Sequence, residues 1–131
     1  MDFSAGTITK INEHIIEIFF IRDAEIDEKM AIEILDKLYK LSGGQPNALL
    51  YDFNKRNVII ADIARKMSGI RNYNNANLIS RAMVSQNMVS GLESSHYINY
   101  DKPEAETKYF KNKEKALVWL NEKVEAFLHA S

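Results

Sequence analysis

The 131-residue chain carries 17 Lys and Arg against 18 Asp and Glu, so its formal net charge of -1 gives no global field toward nucleic acid or an anionic membrane. It contains no cysteine, which excludes a disulfide framework and a thiol nucleophile and suits a reducing compartment. The 46% hydrophobic fraction is that of an ordinary single globular domain.

Two strands are expected first. "GTITKIN" mixes Ile8 and Ile11 with Thr7 and Thr9, like a half-solvated edge, whereas "HIIEIFFI" is almost continuously apolar, like a central strand covered on both faces. The break at Asn12 and Glu13 predicts an antiparallel hairpin. From Asp27 the period becomes helical: Ala31, Ile34, Leu35, Leu38 and Leu41 recur, with charged residues between them. Asp27 is placed to cap this helix, and Gly43 and Gly44 to end it before Pro46.

A buried strand follows over residues 48–53, then a second helix with Ile60, Ile63, Ala64 and Met67 on one face. The polar run "RNYNNAN" is a connection, and residues 78–84 read as a fourth strand. "NMVSGLESSHYI" predicts a third, short helix. After Pro103 comes a fifth strand over 107–110. Asn112 then caps a last helix whose expected buried stripe is Leu117, Leu120, Val124, Phe127 and Leu128, with Trp119 packed on the sheet beside Ala116 and Leu120. The order ββαβαβαβα predicts a single α/β domain over residues 1–131, a mixed sheet of about five strands with about four helices.

That order, with the ending "KPEAETKYFKNKEKALVWLNEKV", resembles the SpoIIAA-like branch of the STAS superfamily, named for sulfate transporters and anti-sigma factor antagonists. The likeness rests on Gly43, Gly44 and Pro46 leading into a strand that ends at Asp52, and on a last strand ending at Phe110. Charged residues before Ala116, Trp119 and Leu120 complete it. Small bacterial members of unassigned function share this pattern. The resemblance implies partner switching at the junction after the 48–53 strand, where anti-sigma antagonists carry an Asp-Ser pair that a kinase phosphorylates. Here the junction runs Asp52, Phe53, Asn54, Lys55, Arg56, Asn57, Val58, and no Ser or Thr occurs before Ser68. A serine phospho-switch is therefore not expected.

Ligands of open α/β sheets bind beyond the carboxyl ends of the strands. A possible anion or partner loop is accordingly Asn54, Lys55, Arg56 and Asn57, with Ser85 and Asn87 ending the next strand, although an ordinary solvated loop has the same composition. His14, His96 and His129 have no ligand spacing, and Ser95 beside His96 lacks a third orienting group, so neither a metal site nor a triad is expected. Glu25, Asp27, Glu28, Glu33 and Asp36 read as a cap and a solvated face. Tyr97, Tyr100, Tyr109 and Trp119 are candidates for lining an apolar groove. Lys108, Lys111, Lys113 and Lys115 are balanced by Glu104, Glu106 and Glu114, so that stretch is no nucleic-acid patch.

The function expected from these readings is a non-catalytic regulatory or scaffolding module that binds an unidentified protein partner, with no cofactor. The alternative is a carrier or sensor of a small apolar or anionic ligand. Because a short helix over 87–98 has more apolar residues than one face can bury, a homodimer built on Met88, Leu92, Tyr97 and Tyr100 is also expected. The N-terminal "MDFSAGTITK" has no basic segment leading into an apolar one, and no apolar run approaches the roughly 20 residues that span a bilayer. A soluble, cytoplasmic protein without membrane insertion is the expectation.

Overall fold

The computed structural model describes residues 1–53, 58–69, 76–85 and 104–130. Their elements are β1 (Asp2–Phe3), β2 (Gly6–Lys10), β3 (Ile15–Phe20), β4 (Glu25–Ile26), α1 (Glu28–Ser42), β5 (Asn47–Asp52), β6 (Ile59–Ile60), α2 (Asp62–Gly69), β7 (Leu78–Val84), β8 (Glu106–Phe110) and α3 (Lys113–His129). Six strands form the main sheet in the order β1-β2-β3-β5-β7-β8. The hairpin is antiparallel, as its polar break predicts: Asn12 Oδ1 accepts from the backbone N–H groups of His14 and Ile15, both at 3.0 Å, and holds the turn. From β3 onward every pairing in this sheet is parallel.

The two faces bury different cores. Ile16, Ile18, Phe20, Leu49 and Tyr51 pack toward α1 and α2, while Ile15, Ala48, Leu50, Ala82 and Val84 pack toward Ala116, Leu120 and Val124 of α3. Alternation along each strand sends neighbouring side chains to opposite layers, which is why β3 and β5 are apolar throughout. Helix α1 has the predicted caps: Asp27 Oδ1 accepts from the Met30 N–H at 2.8 Å, and Gly43 at φ 63° donates its N–H to the Tyr39 carbonyl. Asn112 caps α3 through the Lys115 N–H at 3.0 Å, and an ion pair between Lys113 and Glu17 ties the start of that helix to the sheet.

Several expectations are corrected. Two-residue strands β4 and β6 form a separate parallel pair, so Ile60 is extended rather than helical and α2 starts only at Asp62. That delay turns Ile63 outward. In α3, Phe127 and Leu128 are 47% and 44% exposed, and Leu117 is half-buried. The buried stripe of the helix is Ala116, Leu120 and Val124, and its last turn carries no buried side chain. Of the described helices there are three; the expected helix over 87–98 lies outside the described residues.

Trp119 is half-buried, not largely buried. Its ring tilts against Phe110 with centroids 5.6 Å apart, and the Lys123 ammonium lies 5.6 Å over it. Replacing Trp119 with Ala is accordingly expected to cost about 1–2 kcal/mol, less than the 3–5 of a fully buried ring. Urea denaturation checks this, and a loss above about 3 kcal/mol would place the indole deeper than it sits.

Candidate functional site

Asn54, Lys55, Arg56, Asn57 and Asn87, and likewise Met88, Leu92, Tyr97 and Tyr100, lie outside the described residues. Ser85 is described: it is half-buried just past β7 and donates its backbone N–H to the Phe110 carbonyl at 3.0 Å. Of the four aromatics expected to line a groove, Tyr97 and Tyr100 lie outside the described residues, and Tyr109 and Trp119 are on opposite faces of the sheet. Tyr109 packs with the α1/α2 core and Trp119 with the α3 core, because the β8 side chains alternate across the sheet.

The structure instead gathers polar groups that sequence reasoning passed over. Asn47 pairs with Leu78 but Leu49 pairs with Arg81, so β7 holds one extra residue at this point. The irregularity resets the alternation. Leu78 and Met83 belong to the α1/α2 core, Ile79, Ala82 and Val84 to the α3 core, and Arg81 is carried to the α2 side. Arg81 is fully buried. Its Nε donates to Thr107 Oγ1 at 2.7 Å, and its Nη1 donates to Ser68 Oγ.

Both hydroxyls pass their own hydrogens on, Thr107 to the Ala105 carbonyl at 3.0 Å and Ser68 to the Arg65 carbonyl at 2.8 Å. One guanidinium thus ties β7 to β8 and α2. A signal was present in "LISRAMV", since an arginine inside an apolar strand is almost never buried without partners.

Beside this cluster lies a cavity of about 30 Å³ between the sheet and the helices α1 and α2. Phe20, Ile34, Leu35, Phe53 and Met83 line it together with Tyr51, Arg65 and Ser68, and the surface they present to it is almost wholly apolar. The rings of Phe20 and Phe53 are stacked at 5.1 Å and within 6° of parallel. Space for about two waters falls far short of the roughly 300 Å³ typical of a ligand pocket.

Tyr51 is buried, and its hydroxyl has at most a long contact with the Ser68 hydroxyl in place of an ordinary hydrogen bond. Burial holds its pKa above the ordinary 10.0, against the smaller opposing pull of the Arg81 charge and the nearby Ser68 hydroxyl. Removing that hydroxyl in Tyr51→Phe is expected to leave stability unchanged or raise it by up to about 1 kcal/mol. A phenol whose pKa is raised on folding stays protonated where the unfolded chain already ionises, so it costs stability as the pH climbs past 10.0. The advantage of Tyr51→Phe should therefore widen above that pH. Denaturation curves for both proteins at neutral and alkaline pH check the sign.

Among the described residues no group of three or more His, Cys, Asp and Glu is arranged to hold a metal ion, and no helix is long and apolar enough to cross a membrane.

Comparison with known proteins agrees with this architecture. The sequence matches a family described as "Domain of unknown function (DUF7793)" over residues 9–124. No curated protein matches it significantly. Among solved structures it is similar to an uncharacterized protein of the DUF3478 family with a SpoIIAA-like fold from Shewanella loihica PV-4. That likeness has a TM-score of 0.57 at 15% identity, and covers 88% of this chain and 92% of that one. At this identity it is the fold that is shared. The chain belongs to the DUF7793 family of domains of unknown function, and its fold is SpoIIAA-like.

Proposed function

We propose that the chain is a non-catalytic regulatory or scaffolding module that binds another protein at the β6–α2 junction following β5. The carrying observation is exposed apolar side chain at that junction: Ile59 is 59% and Ile63 51% exposed. Ile21, just past the carboxyl end of the neighbouring β3, is 51% exposed. Isoleucines held in water on a short strand and the first turn of a helix are a poor use of a small protein's apolar surface unless a partner covers them. The SpoIIAA-like resemblance implies partner contact at the same junction. Ser68, the first hydroxyl residue after β5, is tied inward to Arg81 and the Arg65 carbonyl, which supports binding without a serine phospho-switch.

Affinity capture from the native cell extract tests this reading. Wild type and Val118→Glu, altered on the exposed face of α3, should retain the same protein in stoichiometric amount. Ile59→Glu with Ile63→Glu should lose it while keeping wild-type circular dichroism, because a carboxylate buried in an interface core is strongly disfavoured. Equal retention by all three would refute the junction as the binding surface.

A second reading, a carrier or sensor of a small apolar or anionic ligand, is favoured by one observation. The cavity between the sheet and the helices α1 and α2 has an almost wholly apolar lining, with Phe20, Ile34, Leu35 and Phe53 among its walls.

A further inference from the structure

We propose that the partner at this junction supplies an extended segment that pairs with the outer edge of β6 as a third strand. The inference rests on the junction reading above and names the kind of partner it takes. Strands β4 and β6 form a parallel pair of two residues each, apart from the main sheet. The Ile59 and Ala61 N–H groups donate to the Ala24 and Ile26 carbonyls, both at 2.9 Å. Alternation along a strand then turns the Ile60 N–H and C=O to the opposite edge. On that edge no strand pairs with β6 among the described residues. Such an edge is a template for another chain.

The side chains fit the same mode. Glu25 and Ile59 are partners in register and both are exposed, whereas Ile26 is buried and Ile60 half-buried. A strand added at β6 sets one of its side chains beside Ile59 on the outer face, and an apolar group there covers the isoleucine. The segment called for is therefore extended, with apolar side chains at alternate positions.

Size separates such a segment from a second folded copy of the chain. Ile21, Ile59 and Ile63, each about half exposed, offer on the order of 300 Å² of apolar surface. A standard interface takes roughly 800 Å² from each partner. A strand makes up the difference with main-chain hydrogen bonds, which need no wide apolar patch.

Titration of the isotope-labelled full chain, followed by amide NMR, tests the assignment. The probe is a soluble peptide of alternating valine and threonine flanked by lysines. Its control is the same peptide N-methylated at every central residue, which keeps the side chains and cannot donate. The first should bind at least about tenfold more tightly than the control and slow solvent exchange of the Ile60 amide by at least about tenfold. Ile60→Pro removes the outward N–H and leaves both bonds to β4 in place, at a position where an edge strand accepts proline. It should weaken the first peptide by about tenfold, while Ile60→Val, which keeps the N–H, should stay within about twofold of wild type. The peptide comparison decides the matter even where the proline variant folds poorly. Equal binding of the two peptides, or full binding by Ile60→Pro, would overturn strand addition. Binding of neither would do the same, while capture by Ile59→Glu with Ile63→Glu judges the junction on its own. A dimer in sedimentation velocity that Ile60→Pro dissociates would give the edge to a second copy and overturn the peptide assignment.

Discussion

Replacing Arg81 with alanine is expected to destabilise the protein by about 3–5 kcal/mol, the range for breaking a buried charged network and leaving a void in its place. Three effects act together. The Thr107 and Ser68 hydroxyls lose the donor each now accepts from, the first of them buried and the second half-buried. The side chain itself is among the largest fully buried in the molecule, so its removal opens space between β7, β8 and α2. Finally, α2 loses a tie to the sheet that its own apolar residues replace poorly, since of its hydrophobic side chains only Ala64 is buried.

Arg81→Met separates the causes. It fills most of the volume without the charge, and such replacements are often tolerated, so its cost should be about 1–2 kcal/mol. Equilibrium denaturation in urea measures both. A loss below about 1 kcal/mol for the alanine variant would mean that the guanidinium network contributes nothing net.

Gly6→Ala is expected to cost about 3 kcal/mol, the upper part of the range for overpacking. Gly6 lies where β1, β2 and β3 meet, opposite Phe3 on one side and Phe20 on the other. A methyl group added there would stand 1.9 Å from the Phe19 carbonyl oxygen, 2.9 Å from its carbon and 3.0 Å from Phe20 Cα. All three are backbone atoms, so no side-chain rotation relieves the clash. The hairpin must instead separate, and with it the T-shaped contact of Phe3 with Phe20 at 6.0 Å. Thermal and urea unfolding of the variant check the expectation, and a change within about 0.5 kcal/mol would contradict the close approach.

Both effects lie where sequence patterns are least informative. Long elements were legible: the continuous apolar run of β3 identifies a strand covered on both faces, and α1 announces itself through its stripe, its Asp27 cap and Gly43. Two-residue strands carry no period, so β1, β4 and β6 went unseen, and with them the late start of α2. Periodicity gives α3 an apolar stripe as far as Leu128, because it says which face is apolar and not that the buried stretch ends at Val124.

The site was hidden for a different reason. Strict alternation from Leu78 would send Arg81 toward α3, and only the extra residue in β7 brings it to Ser68 and Thr107. A register shift is a property of two strands together. No single segment displays it.

Hydrogen–deuterium exchange of the chain, alone and saturated with the protein it captures, tests the proposed binding surface most directly. Complex formation is predicted to slow exchange across β6 and the first turns of α2, residues 59–68, and to leave residues 118–128 of α3 unchanged. Protection confined to α3, with the β6–α2 junction exchanging as fast as in the free chain, would contradict it.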